Sequence, residues 1–155
     1  MAQSDTDRSR IMRAVRGKDT SPERFVRSML HRAGYRFRLH AADLPGKPDI
    51  IFRRRKKVIF VHGCFWHGHD CKRGARIPKS NTQYWRKKTG SNIDRDVRSL
   101  GALKALGWPV AIVWECELKE PDSVMRRMSM FLGLPAQSLS NQAKADCEDN
   151  LPPSR

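Results

Sequence analysis

Apolar residues recur along the chain first at helical spacing, then in alternation, then in short continuous runs. Phe25, Val26, Met29, Leu30 and Ala33 repeat with the period of an amphipathic helix. Thr20-Ser-Pro-Glu23 supplies its start, with Thr20 as N-cap, Glu23 closing a capping box and Pro22 in the first turn. Gly34 supplies the stop. Tyr35-Arg-Phe-Arg-Leu39 alternates apolar and basic residues, which predicts a half-buried strand. Asp49-Ile-Ile-Phe52 and Val58-Ile-Phe-Val61 predict two short strands joined by a basic turn, Arg53-Arg-Arg-Lys-Lys57.

Residues 62–81 predict an irregular segment rich in His, Cys, Gly and Pro. A helix follows around 82–88, carrying Tyr84 and Trp85. A second runs from about 92 to 106, with Ile93, Val97, Leu100, Leu103 and Leu106 on one face and Gly107 at its end. Val110-Ala-Ile-Val-Trp114 is apolar throughout, as a buried central strand would be, and Trp108 and Trp114 around it are core candidates. Pro121 to Leu132 is a last amphipathic helix. The order helix, strands, helices, strand, helix specifies an α/β fold with a mixed central sheet flanked by helices. It fits a single domain over 1–134, with 1–19 as a polar, basic arm around Ile11, Met12 and Val15 that orders on DNA. From 135 to 155 there is little to bury, which predicts a disordered tail.

Charge narrows the partner. The 155 residues hold 31 Lys and Arg against 16 Asp and Glu, a net charge of +15. Such a field concentrates polyanions, so nucleic acid is the expected partner. The basic residues are spread over the whole chain, which argues against a membrane-surface helix. No apolar run approaches the roughly 18 residues of a membrane span, and the polar start Met1-Ala-Gln-Ser4 lacks an export signal. A cytoplasmic protein is expected.

The cysteines then point to metal. Cys64-Phe-Trp-His-Gly-His-Asp-Cys71 packs thiols and imidazoles into one short segment. Structural zinc takes four N or S ligands in a tetrahedron. Cys64, His69 and Cys71 supply three, and Cys116, just past the apolar strand, supplies the fourth. Such a site is closed, hence structural. Asp70 is a harder ligand and competes poorly beside thiolates. The alternative is free cysteines with exposed histidines. Cys147, in the tail, is expected to be a free thiol. His62 and His67 are left over for chemistry.

Pro48-Asp49 opens one strand of the basic hairpin, a layout similar to the magnesium site of PD-(D/E)XK nucleases. Magnesium needs hard oxygen ligands. The second strand departs from that pattern, with Val61 at the acid position and Gly63 at the lysine position. The Val61 carbonyl could serve as the second ligand, and His62 and His67 could replace the lysine.

Met12-Arg-Ala, Pro45-Gly-Lys-Pro-Asp49, Val58-Ile-Phe-Val-His-Gly-Cys-Phe-Trp-His67, Tyr84-Trp85, Asn92-x-x-Arg-Asp96 and Val113-Trp-Glu-Cys116 together resemble the very short patch repair (Vsr) endonucleases. The likeness runs in order from about residue 8 to residue 132. It implies a restriction-endonuclease-like fold and a magnesium-dependent nick 5′ to the thymine of a T:G mismatch, the lesion left by deaminated 5-methylcytosine. It implies Asp49 and the Val61 carbonyl on magnesium, His67 as general base, and His62 and Glu23 in support. Cys64, His69, Cys71 and Cys116 match the family's zinc quartet. Phe65, Trp66 and Trp85 match its aromatic wedge, Met12 the plug from the opposite groove, and Lys88 and Asn92 the readers of the mismatched bases. Cooperation with MutL and DNA polymerase I is implied as well, and a monomer is expected. Two other readings stay open on the residues alone: a non-catalytic zinc-bearing DNA-binding module, and a restriction-type nuclease acting on unmismatched DNA.

Overall fold

The computed structural model of the chain describes residues 18–136. Met12 and the rest of the arm before Lys18, and Cys147 with most of the tail, lie outside the described residues. Helix α1 spans Ser21–Arg32, strands β1, β2 and β3 span Arg38–Leu39, Ile50–Phe52 and Lys57–His62, and helix α2 spans Thr82–Ala105. Strand β4 spans Val110–Trp114 and helix α3 spans Pro121–Leu132. No helix among these is long and apolar enough to cross a membrane.

The strands form one mixed sheet in the order β1-β2-β3-β4. β2 pairs antiparallel with β1 and β3, and β3 pairs parallel with β4. The predicted turn between β2 and β3 is a 3-10 turn over Arg53–Arg55, closed by Lys56 in the left-handed region. Side chains of the inner strands alternate between the two faces, and each face has its own core. Ile50, Phe52, Ile59 and Val61 pack with Val26 and Leu30 of α1 and Val124, Met128 and Leu132 of α3. Ile51, Val58 and Phe60 pack on the other side with Leu103 of α2 and with Ala41 and Leu44. The result is three layers, with helices on both faces of the sheet.

Several sequence expectations change. The strand expected over 35–39 pairs only at Arg38–Leu39, because Tyr35 is drawn under the sheet, where its hydroxyl donates to the Gly133 carbonyl at 2.7 Å. The two helices expected around 82–88 and 92–106 are one helix, Thr82–Ala105. Gly90 and Ser91 only weaken a helix, by about 1 kcal/mol for the glycine, and the packing of the following turns on the sheet carries it through. Its buried stripe is narrow: Leu103 is fully buried, whereas Val97 and Leu106 are 63% and 59% exposed. β4 lies at the edge of the described sheet rather than at its centre. It is apolar throughout because α2 covers one face and α3 the other. Trp108 packs partly buried against the second core, while Trp114 turns toward the cysteine loop.

α1 begins at Thr20, whose hydroxyl accepts the Glu23 N–H at 3.4 Å. The reciprocal half of the expected capping box is displaced by one residue, since the Glu23 carboxylate accepts the Asp19 N–H at 2.9 Å. At the far end of α3, donors from the hairpin close the helix. Arg55 donates to the carbonyls of Leu132 and Leu134, each at 2.6 Å, and Lys57 donates to that of Phe131 at 2.5 Å. Cationic donors on the last carbonyls also complement the helix dipole.

Candidate active site

Where β3 ends, the sheet opens into a cleft of about 630 Å³. One wall is the start of α1 and the loop before β2. The other is α2, which presents Lys88, Asn92, Arg95, Asp96 and Ser99 along one face. The floor is Asp49, Val61, His62, Gly63 and the following loop with Trp66 and His67. Gly46 brings the loop and α2 together. It sits at φ +73°, and a Cβ there would lie 2.6 Å from the Ser99 Cβ, so only glycine allows the approach. That approach sets Lys47, Pro48 and Asp49 against the cleft.

The hairpin register explains how Asp49 is held. Ile50 faces Ile59, so the ladder continued by two residues sets Val61 against Pro48. Proline has no N–H to give. That leaves the Val61 carbonyl without a ladder donor from residue 48, while the Val61 N–H donates to Asp49 Oδ2 at 2.8 Å. One carboxylate oxygen and one main-chain carbonyl remain for a hard cation, which is the donor chemistry such an ion takes. Burial raises the Asp49 carboxyl from 3.8 to about 6, helped by the charge of Glu23, against the lowering effect of the Val61 N–H. A cation at this position would remove that penalty.

His62 is buried at the end of β3, and its ring lies parallel to that of His67, centroids 3.8 Å apart and planes within 4°. Burial, with the His67 charge beside it, holds His62 down to about 4, so it is neutral at physiological pH. His62 Nδ1 is buried without a partner. His67 Nδ1 meets Asp96 Oδ2 at 2.5 Å. A carboxylate only accepts, so the proton belongs on Nδ1 and His67 Nε2 is the free basic nitrogen. Sequence reasoning did not give Asp96 this role. The signal was there in its spacing, since Asp96 is one helical turn beyond Asn92 and two beyond Lys88 on the face that lines the cleft.

Glu23 is nearly fully buried on the opposite wall, bound by Arg27 at 2.7 Å. Arg27, Asp19 and His40 form a further polar cluster around it that sequence reasoning did not single out. Phe65, Trp66 and Trp85 gather edge to face, with centroids 5.1, 5.5 and 6.1 Å apart, and Tyr84 extends the group from Trp85. Asn92 Nδ2 donates to the Trp66 carbonyl at 2.8 Å, tying this aromatic cluster to the cleft. Lys88 lines the same cleft, with Lys18, Lys47 and Arg95 as further cations around it.

Behind the cleft the predicted quartet is assembled: Cys64, His69, Cys71 and Cys116 place one ligand atom each within 4.8 Å of one another. A tetrahedral zinc with bonds of about 2.0–2.3 Å would draw these donors to roughly 3.5–4 Å apart. Cys116 N–H donates to Cys64 Sγ at 3.4 Å and Gly74 N–H to Cys71 Sγ at 3.3 Å, contacts that suit thiolates. Gly74 is required for another reason, because a Cβ there would lie 2.0 Å from the His69 carbonyl oxygen. The His69 ring stacks on Trp114, centroids 4.3 Å apart, which fixes the imidazole. Asp70 projects into solvent, outside the cluster.

A family model described as DNA mismatch endonuclease Vsr matches residues 3–73. A type II nicking enzyme, V.XorIIP of Xanthomonas oryzae pv. oryzae, is 53% identical over 122 residues, 79% of this chain and 89% of its own length. A second nicking enzyme, V.NmeAIP of Neisseria meningitidis, is 43% identical over 81% of this chain and 89% of its own length. The DNA mismatch endonuclease Vsr of Escherichia coli K12 is 45% identical over 112 residues, 72% of this chain and 71% of that enzyme.

Proposed function

The chain belongs to the Vsr family of DNA mismatch endonucleases, which are DNA-nicking hydrolases, and from that premise we propose that it uses magnesium to nick one strand of duplex DNA 5′ to the thymine of a T:G mismatch. The observation that carries this reading is the convergence of Asp49, His67 and the aromatic Trp66 on one basic cleft. Family membership disfavours the alternative of a non-catalytic module. The fold is read as restriction-endonuclease-like on the strength of Asp49 at the head of an antiparallel hairpin in a mixed sheet.

Asp49 Oδ1 and the Val61 carbonyl are the proposed magnesium ligands. A cation bound there supplies charge neutralisation and Lewis-acid polarisation of the scissile phosphate. The chain's own groups do the rest. His67 Nε2 takes the proton of the attacking water, while Asp96 holds the opposite N–H and stabilises the imidazolium that forms. Oxygen from water adds to phosphorus, one bridging P–O bond breaks, and a proton returns to the leaving oxygen. His62 stays neutral and keeps the His67 ring in its plane. Glu23, held by Arg27, orients water on the far wall. Lys18, Lys47, Lys88 and Arg95 attract the phosphate backbone.

Phe65, Trp66 and Trp85 form the wedge that tests a base step, and Met12 of the arm plugs the other groove. A mismatched step costs less to unstack, and stacking on an aromatic ring returns roughly 1–3 kcal/mol per base. Lys88 and Asn92 are assigned to the exposed edges of the mismatched bases. The cysteine quartet is assigned to a structural zinc that rigidifies the loop carrying Phe65 and Trp66. The proposed setting is cytoplasmic, as a monomer with a single catalytic domain, acting with MutL and DNA polymerase I.

Magnesium titration of nicking on T:G and matched duplexes with varied flanking bases tests the whole reading. The expected result is magnesium-dependent nicking confined to the T:G duplex. No strand break at any magnesium level overturns it, and equal cutting of matched DNA replaces it with a restriction-type activity.

A further inference from the structure

On the proposed mechanism a phosphate is attacked beside Asp49, yet the hairpin gives that site no cationic side chain. Nucleases with a similar hairpin carry a lysine where this chain has Gly63. A Cβ at Gly63 would lie 3.2 Å from Trp66 Cδ1, so the indole takes the space that a lysine stem would need. Neither histidine replaces it as a standing charge, since His67 is committed to the proton of the water and His62 lies buried against it.

Lys47 is the cation placed to fill that need. It lines the cleft two residues before Asp49. Its φ of 50° lies in the left-handed region, which is uncommon for a residue other than glycine and is opposed further by the proline that follows. Such strain persists where the surroundings fix it, as they do at functional sites. Three contacts fix it here. The Lys47 N–H donates to the Leu44 carbonyl at 3.1 Å, closing a turn with Pro45 and Gly46 in its middle. Gly46 is packed against Ser99 of α2, and Pro48 is fully buried. Asp43, the only carboxylate in loop 40–48, is engaged by Arg53 through two bonds of 2.7 Å. Among the described residues Lys47 therefore has no anionic partner. Arg95, by contrast, donates to Asn92 Oδ1 at 3.1 Å, and Lys88 stands on the opposite wall.

We propose that Lys47 is a catalytic cation: its ammonium donates to a non-bridging oxygen of the scissile phosphate and stabilises the charge that builds there as water attacks. The inference rests on the reading of Asp49 as the magnesium ligand of a T:G nicking enzyme. The charge that similar hairpins deliver from the second strand comes here from the loop before the first. Trp66, which fills the usual place, is thereby free to serve the wedge. An ammonium on one phosphate oxygen is a point contact that a guanidinium also makes, so the requirement is for charge at this place in the loop.

The test is single-turnover nicking of a T:G duplex at saturating full chain as magnesium is raised, together with affinity for the same duplex without divalent ion. The parent, Lys47→Asn and Lys47→Arg are compared. Asparagine tolerates the left-handed backbone, so loss of the ammonium is separated from loss of the turn. Lys47→Asn is expected to lower the plateau rate by about 10²–10³. It should bind DNA within about fivefold of the parent, as the loss of one backbone contact among several allows. It should also reach its plateau at no more magnesium than the parent needs, because removing a positive charge does not weaken a nearby cation site. Lys47→Arg is expected to stay within about tenfold of the parent rate. A plateau rate in Lys47→Asn equal to the parent's, a loss confined to affinity, or an arginine variant no faster than the asparagine one overturns the proposal. So does a rate that high magnesium restores, since Lys47 would then act only through the Asp49 site. Lys47→Gly is read the same way should the asparagine variant not fold. Failure of the underlying reading shows differently, as a parent that leaves the T:G duplex intact at every magnesium concentration, and it takes the inference with it.

Discussion

The imidazoles of His62 and His67 lie face to face, 3.8 Å between centroids and 4° between planes. Two rings so close do not share positive charge readily, and the buried one, His62, is the one held neutral. On the proposed mechanism the proton of catalysis falls to His67, which of the two has a carboxylate, Asp96, behind it. Asp96→Asn keeps the shape but removes the charge that stabilises the imidazolium. Single-turnover nicking is expected to slow by about 10²–10⁴, the usual range for a general base, with DNA affinity nearly unchanged. An equal loss in binding and rate would place Asp96 in DNA contact instead.

Asp49 makes the metal-free protein less stable, and pH reveals it. Its carboxyl is raised from 3.8 to about 6 by burial. Between those values the folded chain keeps a proton that the unfolded chain has released. Stability from this group therefore falls as pH rises through that window, and above it the buried carboxylate costs about 3 kcal/mol. Asp49→Asn should raise the magnesium-free melting temperature at pH 8 and leave it unchanged near pH 3.5. Thermal unfolding across pH checks both. In the same window, protons compete with the cation, so nicking by the parent should fall as pH drops through about 6.

Cys116 links the loop after β3 to the end of β4, far apart in sequence. Cys116→Ala should lose one equivalent of zinc per chain, measured by metal analysis, together with several degrees in melting temperature. Nicking should fall as well, because the loop that carries Phe65, Trp66 and His67 is released. Full zinc content in that variant would mean that another donor set holds the ion.

Trp66 contacts both Phe65 and Trp85 and faces the cleft. Trp66→Ala is expected to lower the preference for T:G over matched duplex by about ten- to a hundredfold, the equivalent of roughly 1–3 kcal/mol of stacking. Competition binding with the two duplexes reads this directly. An unchanged ratio would make the cluster simple packing.

Much of this was legible from residue order. Thr20 and Pro22 mark the start of α1, the short apolar runs Ile50–Phe52 and Val58–Val61 mark two strands, and Cys64, His69, Cys71 and Cys116 group by spacing and type. The continuous helix Thr82–Ala105 was not legible, because Gly90 reads locally as a break and only packing on the sheet overrides it. The edge position of β4 escaped for a similar reason: a strand covered on both faces is apolar whether or not it has a neighbour on each side. The pairings of His67 with Asp96 and of Arg27 with His40 join residues 29 and 13 positions apart. Local periodicity carries no information about such contacts. The role of Pro48 in leaving Val61 without a ladder donor needed the register, which no run of sequence states.

The most direct measurement compares Asp49→Ala with the parent chain on one T:G duplex, following DNA binding and strand nicking in the same samples as magnesium is raised. The variant is predicted to bind the duplex within about twofold of the parent, since the backbone contacts of the basic cleft remain, and to leave both strands intact at every magnesium concentration. Nicking by Asp49→Ala at the parent's rate would contradict the account.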